Sequence, residues 1–212
     1  MGVLAAAAVT LPLALGACQA IRAVTTVPTT DLSALANKTP SGVYLSDPDH
    51  TAVLFSVRHF RFAQAIGRLR DVAAKLEWNL EEPDKSKVDV TFRTASLDTN
   101  SPSIDSALKA KSMFDVVEFP EGHFVSTKVE RAGTNAATGT ITGDLTLRGE
   151  THPVTLAVTF NGGDIDGLTL KPTLGFAATA VLRRAEWHLG EWIPVVGNEV
   201  KLTIEIEFVR SG

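Results

Sequence analysis

The sequence predicts an all-β fold, a closed antiparallel barrel of about eight strands with one short helix. Three observations predict it. In the first, Val200, Leu202, Ile204, Ile206 and Phe208 alternate without a break against Lys201, Thr203, Glu205 and Glu207. That is the period-two signature of a strand with one dry and one wet face. A slip of one residue would expose all of those apolar groups, so the pairing is closely specified. The second is that segments throughout the chain repeat this alternation between polar, Gly-, Asp- or Pro-bearing connections. The third is that, apart from a single turn at Phe60 to Phe62, helical character within the predicted barrel is confined to one stretch, Ser103 to Met113.

Composition narrows the function. Of 212 residues, 44% are apolar and 21% charged, ordinary values for a globular protein. A net charge of −4, with no Lys/Arg cluster interleaved with aromatics, excludes a nucleic-acid footprint. The single cysteine excludes an internal disulfide and any multi-cysteine metal site.

Residues 1–17 read as a signal peptide and 18–41 as a tether. Val3 to Leu15 is apolar apart from Thr10, too short to span a bilayer comfortably and the length of a signal core. Leu15-Gly16-Ala17-Cys18 follows it and resembles the lipidation box of bacterial lipoproteins. That resemblance implies cleavage before Cys18, a diacylglycerol on its sulfur with acyl chains such as palmitate, and attachment to a membrane on the extracytoplasmic side. Gln19, where an Asp would retain such proteins, resembles the outer-membrane sorting pattern. No Lys or Arg precedes the apolar run, so Met1 is expected to lie downstream of the true start. Ala20 to Ser41, rich in Thr, Ala, Ser and Pro, reads as a flexible linker.

The barrel domain is placed at 42–212. Gly42 to Leu45 is expected as a short strand ended by Asp47-Pro48-Asp49. Thr51 to Arg58 then points Val53, Phe55 and Val57 inward. Phe60 to Phe62 is expected as a turn of helix at one rim. Ala65, Gly67 and Leu69 share one parity while Val72, Ala74, Leu76 and Trp78 share the other, which predicts a β-bulge near Arg70-Asp71. A polar connection, Glu81 to Lys85, leads to inward Val88, Val90 and Phe92. Leu97 to Asn100 is expected to leave the sheet before the helix, which Ser101 or Ser103 would cap. That helix either plugs the barrel mouth or crosses the surface. Gly122 to Glu130 is a further strand.

Here a family resemblance emerges. Asp49-His50 to His59, Gly67-x-Leu69, Asp98-Thr99, Leu108-Lys109, Phe114-Asp115 and Phe119-Pro120 are similar to motifs of the YceI-like family. The resemblance implies a lipocalin-like barrel in a periplasmic or secreted protein that binds polyisoprenoids and related lipids. Ala107 stands where that family usually carries a histidine.

In the second half, Ile141, Gly143, Leu145 and Leu147 point inward, then Val154, Leu156, Val158 and Phe160. Gly143 to Thr146, with Arg148-Gly149 and Pro153-Val154, resembles the family's hairpin. Asn161 to Gly167 is expected as a turn, followed by inward Leu174, Phe176, Ala178, Ala180 and Leu182. Arg183 to Gly190 lies where the family usually reads Asn-Arg-x-Asp-Phe-Gly. His188 in the glycine position implies a different backbone path or a dispensable glycine. Trp187 and Trp192 are placed over a barrel entrance, and the last strand is expected to pair with the first.

No catalytic constellation stands out. His50, His59, His123, His152 and His188 show no His-x-His or His-x3-His pairing and read as separate surface or rim groups. There is no nucleophile elbow, P-loop or dinucleotide fingerprint, and no catalytic residue, metal ligand or cofactor is assigned. An eight-stranded barrel is filled by side chains or holds one small ligand. Ala65, Gly67, Ala74, Gly143, Ala178 and Ala180, mixed with Phe55, Phe92, Phe160 and Phe176, fit a narrow apolar tunnel. The competing view is that the small residues only relieve crowding beside bulky ones. The expected lining is Phe55, Val57, Ala65, Gly67 and Leu76 from the first half, with Phe92, Leu145, Phe160, Phe176 and Ala178 from the rest. Arg58, His59, Arg184 and Trp187 are the expected rim. The function this predicts is a lipid-anchored carrier of a polyisoprenoid or similar long apolar molecule. The alternative is a solid barrel that presents its loops to an envelope partner.

Overall fold

The computed structural model describes residues 39–133 and 136–211. The expected signal peptide and Cys18 lie outside these residues. Thr39 to Ser41, expected in the tether, pack on the barrel instead. Thr39 is buried, Pro40 accepts the Tyr44 hydroxyl at 2.8 Å, and the Ser41 hydroxyl accepts the Leu80 N–H at 3.0 Å.

The strands are β1 (Gly42–His59), β2 (Ala63–Leu69), β3 (Val72–Trp78), β4 (Lys87–Arg93), β5 (Leu97–Asp98), β6 (Glu121–Arg131), β7 (Thr138–Leu147), β8 (Glu150–Ile165), β9 (Pro172–Arg183) and β10 (Val196–Arg210), with one helix, α1 (Pro102–Lys109). All pairings are antiparallel, and β10 closes the ring on β1 as the sequence predicts. Along β1, β2 pairs with Val53 to His59 and β3 with Gly42 to Leu45. The two therefore act as one long strand, and eight strands close the barrel.

Their junction carries the predicted parity switch, but as a break rather than a bulge. Arg70 donates its N–H to Ser96 at 3.3 Å, and the Asp71 carbonyl accepts the Arg93 N–H at 3.0 Å. Asp47-Pro48-Asp49 does not end a strand. β1 runs through it, and the register against β10 slips between Ser46 and Thr51. A bulge is where a strand tolerates a proline that cannot donate to the ladder. Asn161, Gly162 and Gly163 likewise stay inside β8, with a slip between Phe160 and Gly162. The turn comes later, where the Asp166 carboxylate accepts the N–H groups of Leu168 and Thr169. Phe60 to Phe62 form a tight hairpin, not a helical turn, with Phe60 at φ 49°. Leu97 and Asp98 do not leave the sheet but pair with Leu69 and Arg68.

The interior divides along the barrel axis. At the end where β1 begins, Tyr44, Leu76, Trp78, Phe160, Leu174 and Phe208 form a closed cluster, with Tyr44 and Leu174 at 0% exposure. Toward the other end, Phe124, Leu145, Val154, Met113, Trp187 and Leu189 form a second cluster. Inward Val53, Phe55, Val57, Val200, Leu202 and Ile204 are only half-buried there. Inward groups that remain accessible mark a space that side chains leave unfilled.

Candidate functional site, an apolar chamber

That space is a cavity of about 220 Å³. β1 supplies Val53, Phe55 and Val57, β4 supplies Val90 and Phe92, and β10 supplies Val200, Leu202 and Ile204. Leu108 of α1 and the following Met113 and Phe114 line it from above, so the crossover covers this end of the barrel. The segment between β9 and β10 contributes Arg184, Trp187, Leu189 and Trp192. Trp192, 39% exposed, is the most exposed of the lining residues and marks the mouth.

Three lining side chains carry N–H groups, and the protein engages the two buried ones, Arg184 and Trp187, while the third, Trp192, lies at the exposed edge. The Trp187 indole N–H donates to the Leu145 carbonyl at 3.1 Å. The Arg184 guanidinium is buried and donates to the carbonyls of Gly197 at 2.8 Å, Glu191 at 2.8 Å, Val196 at 3.0 Å and Leu189. Burial lowers its pKa. The chamber therefore offers an occupant apolar contact and almost no hydrogen bonding.

A second cavity of about 90 Å³ lies at the other end, lined by Leu76, Trp78, Val88, Ile141, Val158, Phe160 and Phe176 among others. No residue lines both cavities. Phe176 sits in the aromatic web at this end, with ring centroids 6.2 Å from Trp78, 5.1 Å from Phe160 and 5.9 Å from Phe208.

Of the expected lining, Phe55, Val57, Phe92 and Leu145 face the larger chamber, and Leu76, Phe160 and Phe176 the smaller. Ala65, Gly67 and Ala178 line neither. Gly67 lies under the Phe55 ring and Gly143 under Phe124, close enough that a Cβ would collide with each ring. These two small residues thus relieve crowding, the competing view of them. Arg58 and His59 are exposed, but Arg184 and Trp187 are not rim groups, Trp187 being 1% exposed. His188 adopts φ 58° and ψ 23°, so the backbone keeps the left-handed shape a glycine favours, and no new path is needed. Leu97, Leu108, Met113 and Leu189 were absent from the expected lining. They lie outside alternating strands, and the apolar Met113-Phe114 pair in a crossover was their only signal.

The histidines stay apart. His123 meets Asp89 at 2.6 Å, His188 meets Glu150 at 3.0 Å, and His152 packs edge-on to Trp187 at 5.1 Å. His50 Nδ1 lies 2.8 Å from Asp47 and 3.9 Å from Glu207. The Asp47 hydrogen bond, then the Glu207 charge, raise the His50 pKa. This is the one metal-type grouping among the described residues. It lies at the β1 bulge and lines neither cavity.

The YceI-like domain model matches residues 44–208. A UPF0312 protein of Enterobacter sp. (strain 638) is 32% identical over 162 residues, 76% of this chain and 82% of that protein. A UPF0312 protein of Pseudomonas putida (strain W619) is 37% identical over 162 residues, with the same coverage of 76% and 82%. Among solved structures, Burkholderia cenocepacia BcnA superposes with a TM-score of 0.69 at 21% identity, covering 76% of this chain and 98% of that one. A polyisoprenoid binding domain from Saccharophagus degradans superposes with a TM-score of 0.58 at 10% identity, covering 81% and 99%. With the matched region running from the first strand to the last, the chain belongs to the YceI-like family.

Proposed function

We propose that this protein binds the apolar chain of a polyisoprenoid or similar lipid in the larger chamber and performs no covalent chemistry on it. The observation that carries this reading is the chamber's apolar lining, whose buried polar side chains, Arg184 and Trp187, are already engaged by carbonyls of the protein, leaving only the Trp192 indole N–H at the exposed edge. Such a site rejects polar ligands, which would lose water and gain no partner. It favours methyl and methylene groups at ~0.8 kcal/mol each. The description of the Saccharophagus degradans neighbour as a polyisoprenoid binding domain supports the same ligand class.

Volume limits what is enclosed. A cavity of about 150 Å³ holds one benzene, so one of about 220 Å³ encloses roughly nine close-packed carbons on the same scale. A longer chain would keep its tail inside and leave through the mouth beside Trp192. Burial of nine carbons is worth about 7 kcal/mol, of the same order as the loss of free motion on binding. Contacts outside the chamber must therefore add to the affinity.

We place the protein outside the cytoplasm, held to a membrane through acylated Cys18, on the apolar run and Leu-Gly-Ala-Cys box of the sequence. Metabolic labelling with palmitate tests the anchor: label in the wild type and none in Cys18→Ser supports it, and no label in either sinks it. The ligand reading is tested by adding prenyl and acyl compounds to delipidated protein. One-to-one uptake of a prenyl compound, read by native mass spectrometry, is the expected result. No uptake across the panel overturns it.

A further inference from the structure

We propose that the mouth end of the barrel docks on an anionic lipid bilayer and presents the chamber entrance to it, an inference that rests on the chamber holding a lipid. Two turns meet at this end. The β1–β2 hairpin carries Phe60 and Phe62, and the segment before β10 carries Trp192, Ile193 and Val195, all exposed, with Phe62 at 83%. The Phe60 N–H donates to the Val195 carbonyl at 2.8 Å, so the two turns form one surface. The rings of Phe60 and Phe62 lie 5.6 Å apart at its tip. The patch is continuous with the entrance, because Trp192 belongs both to it and to the chamber lining.

Charge says what covers the patch. Arg58 lies two residues before Phe60 and Arg61 lies between the two phenylalanines; both are exposed and form no ion pair with any other described residue. The β9–β10 connection carries Glu191, with exposed Glu186 and Glu199 near its two ends. A denser acidic group lies at the β1 bulge, where Asp47, Asp49 and Glu207 surround His50, with Asp166 close enough to act on Asp47. Apolar and aromatic side chains beside arginines suit the boundary between acyl chains and anionic headgroups, where tryptophan is also favoured. A protein partner would be served by the apolar groups alone, but two exposed arginines on the hairpin, without an ion pair among the described residues, beside an opening into an apolar chamber favour a phospholipid surface. A chain leaving the bilayer there would enter the chamber without crossing water.

The test uses residues 19–212, which carry the whole barrel, so that neither the apolar run of the signal peptide nor an acyl group holds the protein to a vesicle, and vesicles of phosphatidylethanolamine and phosphatidylglycerol. Flotation with these vesicles is expected, weaker with pure phosphatidylcholine and in high salt. Phe62→Ser with Val195→Ser, neither of which lines the chamber, is expected to reduce flotation and prenyl uptake from vesicles about tenfold, the equivalent of burying roughly one apolar side chain. Uptake from detergent micelles and the melting temperature should stay as in the parent. Arg58→Gln with Arg61→Gln should remove the preference for phosphatidylglycerol. Equal flotation and equal vesicle uptake by parent and Phe62/Val195 variant would overturn the docking surface. If the parent takes up no lipid from vesicles or micelles, the ligand reading fails, and flotation alone then decides the docking surface.

Discussion

Phe55 and Phe92 owe their places to glycines on the neighbouring strands. Phe55 stands directly opposite Gly67 and Phe92 opposite Gly122, and each ring covers the backbone where the glycine has no side chain. Phe124 covers Gly143 in the same way. An aromatic ring laid over a strand glycine shields a weak point in the sheet and here also shapes the chamber wall, since all three phenylalanines line it. Gly67→Ala would drive a methyl group into the Phe55 ring and turn the ring towards the chamber. The expected cost is about 1–3 kcal/mol of stability, the usual price of overpacking, together with weaker prenyl binding. Denaturant unfolding of a double-mutant cycle checks the cause: adding Phe55→Leu to Gly67→Ala should recover much of the loss, because the two residues touch. If the losses simply add, the ring is not what the methyl group meets.

At the scale of elements, two charged groups fasten segments that would otherwise hang from the barrel. Arg184 ties the turn before β10 to the start of β10 through four carbonyls. A lysine has no planar fork to reach them together. Arg184→Lys would leave buried carbonyls without donors and is expected to destabilise the fold by about 2–3 kcal/mol, seen as a lower melting temperature. Asp98 does the corresponding work for the short β5. Its carboxylate takes the Asn100 N–H at 2.9 Å and the guanidinium donors of Arg68 at 3.0 Å and Arg70 at 2.8 Å. The Asn100 hydrogen bond, then Arg68 and Arg70, lower its pKa to about 2. A carboxyl whose folded pKa lies below its unfolded value adds stability above the unfolded pKa and loses it as pH falls through the folded one. Asp98→Asn is therefore expected to lower the melting temperature at neutral pH, with the gap to wild type closing as the pH falls from about 4 towards about 2. A gap that stays constant over that range would mean Asp98 acts without its charge. Neither fastening was legible in the sequence. Arg184 was expected at a solvent rim because its partners are main-chain carbonyls, which leave no mark on residue type, and Leu97-Asp98 was too short to show alternation.

Over the whole molecule, the sequence made the barrel legible because each strand's dry face is written within that strand. Val53 to Val57, Val154 to Phe160 and Val200 to Phe208 show their inward sides without reference to any neighbour. How much of the bore stays open was not legible, because it depends on rings from different strands meeting at one level. Leu76, Phe160, Phe176 and Ala178 were expected along a single tunnel, yet the aromatic web closes one end and leaves two unequal cavities. The web should then act as a floor that limits chain length, and Phe176 is the residue to test, since its ring meets three of its neighbours. Phe176→Ala is expected to cost about 3 kcal/mol, near the low end for a phenylalanine because the side chain is only half-buried. If its ring separates the cavities, its removal lets the larger one, about 220 Å³, extend into the smaller, about 90 Å³. In competition among geraniol, farnesol and geranylgeraniol, the variant should shift its preference towards the longer chains. Phe208→Ala disturbs the same web while lining neither cavity, so it should lose stability without changing that preference. An unchanged preference in Phe176→Ala would mean that the floor lies elsewhere. A shift in both variants would mean that loosening the web, rather than opening one passage, lets the longer chain in.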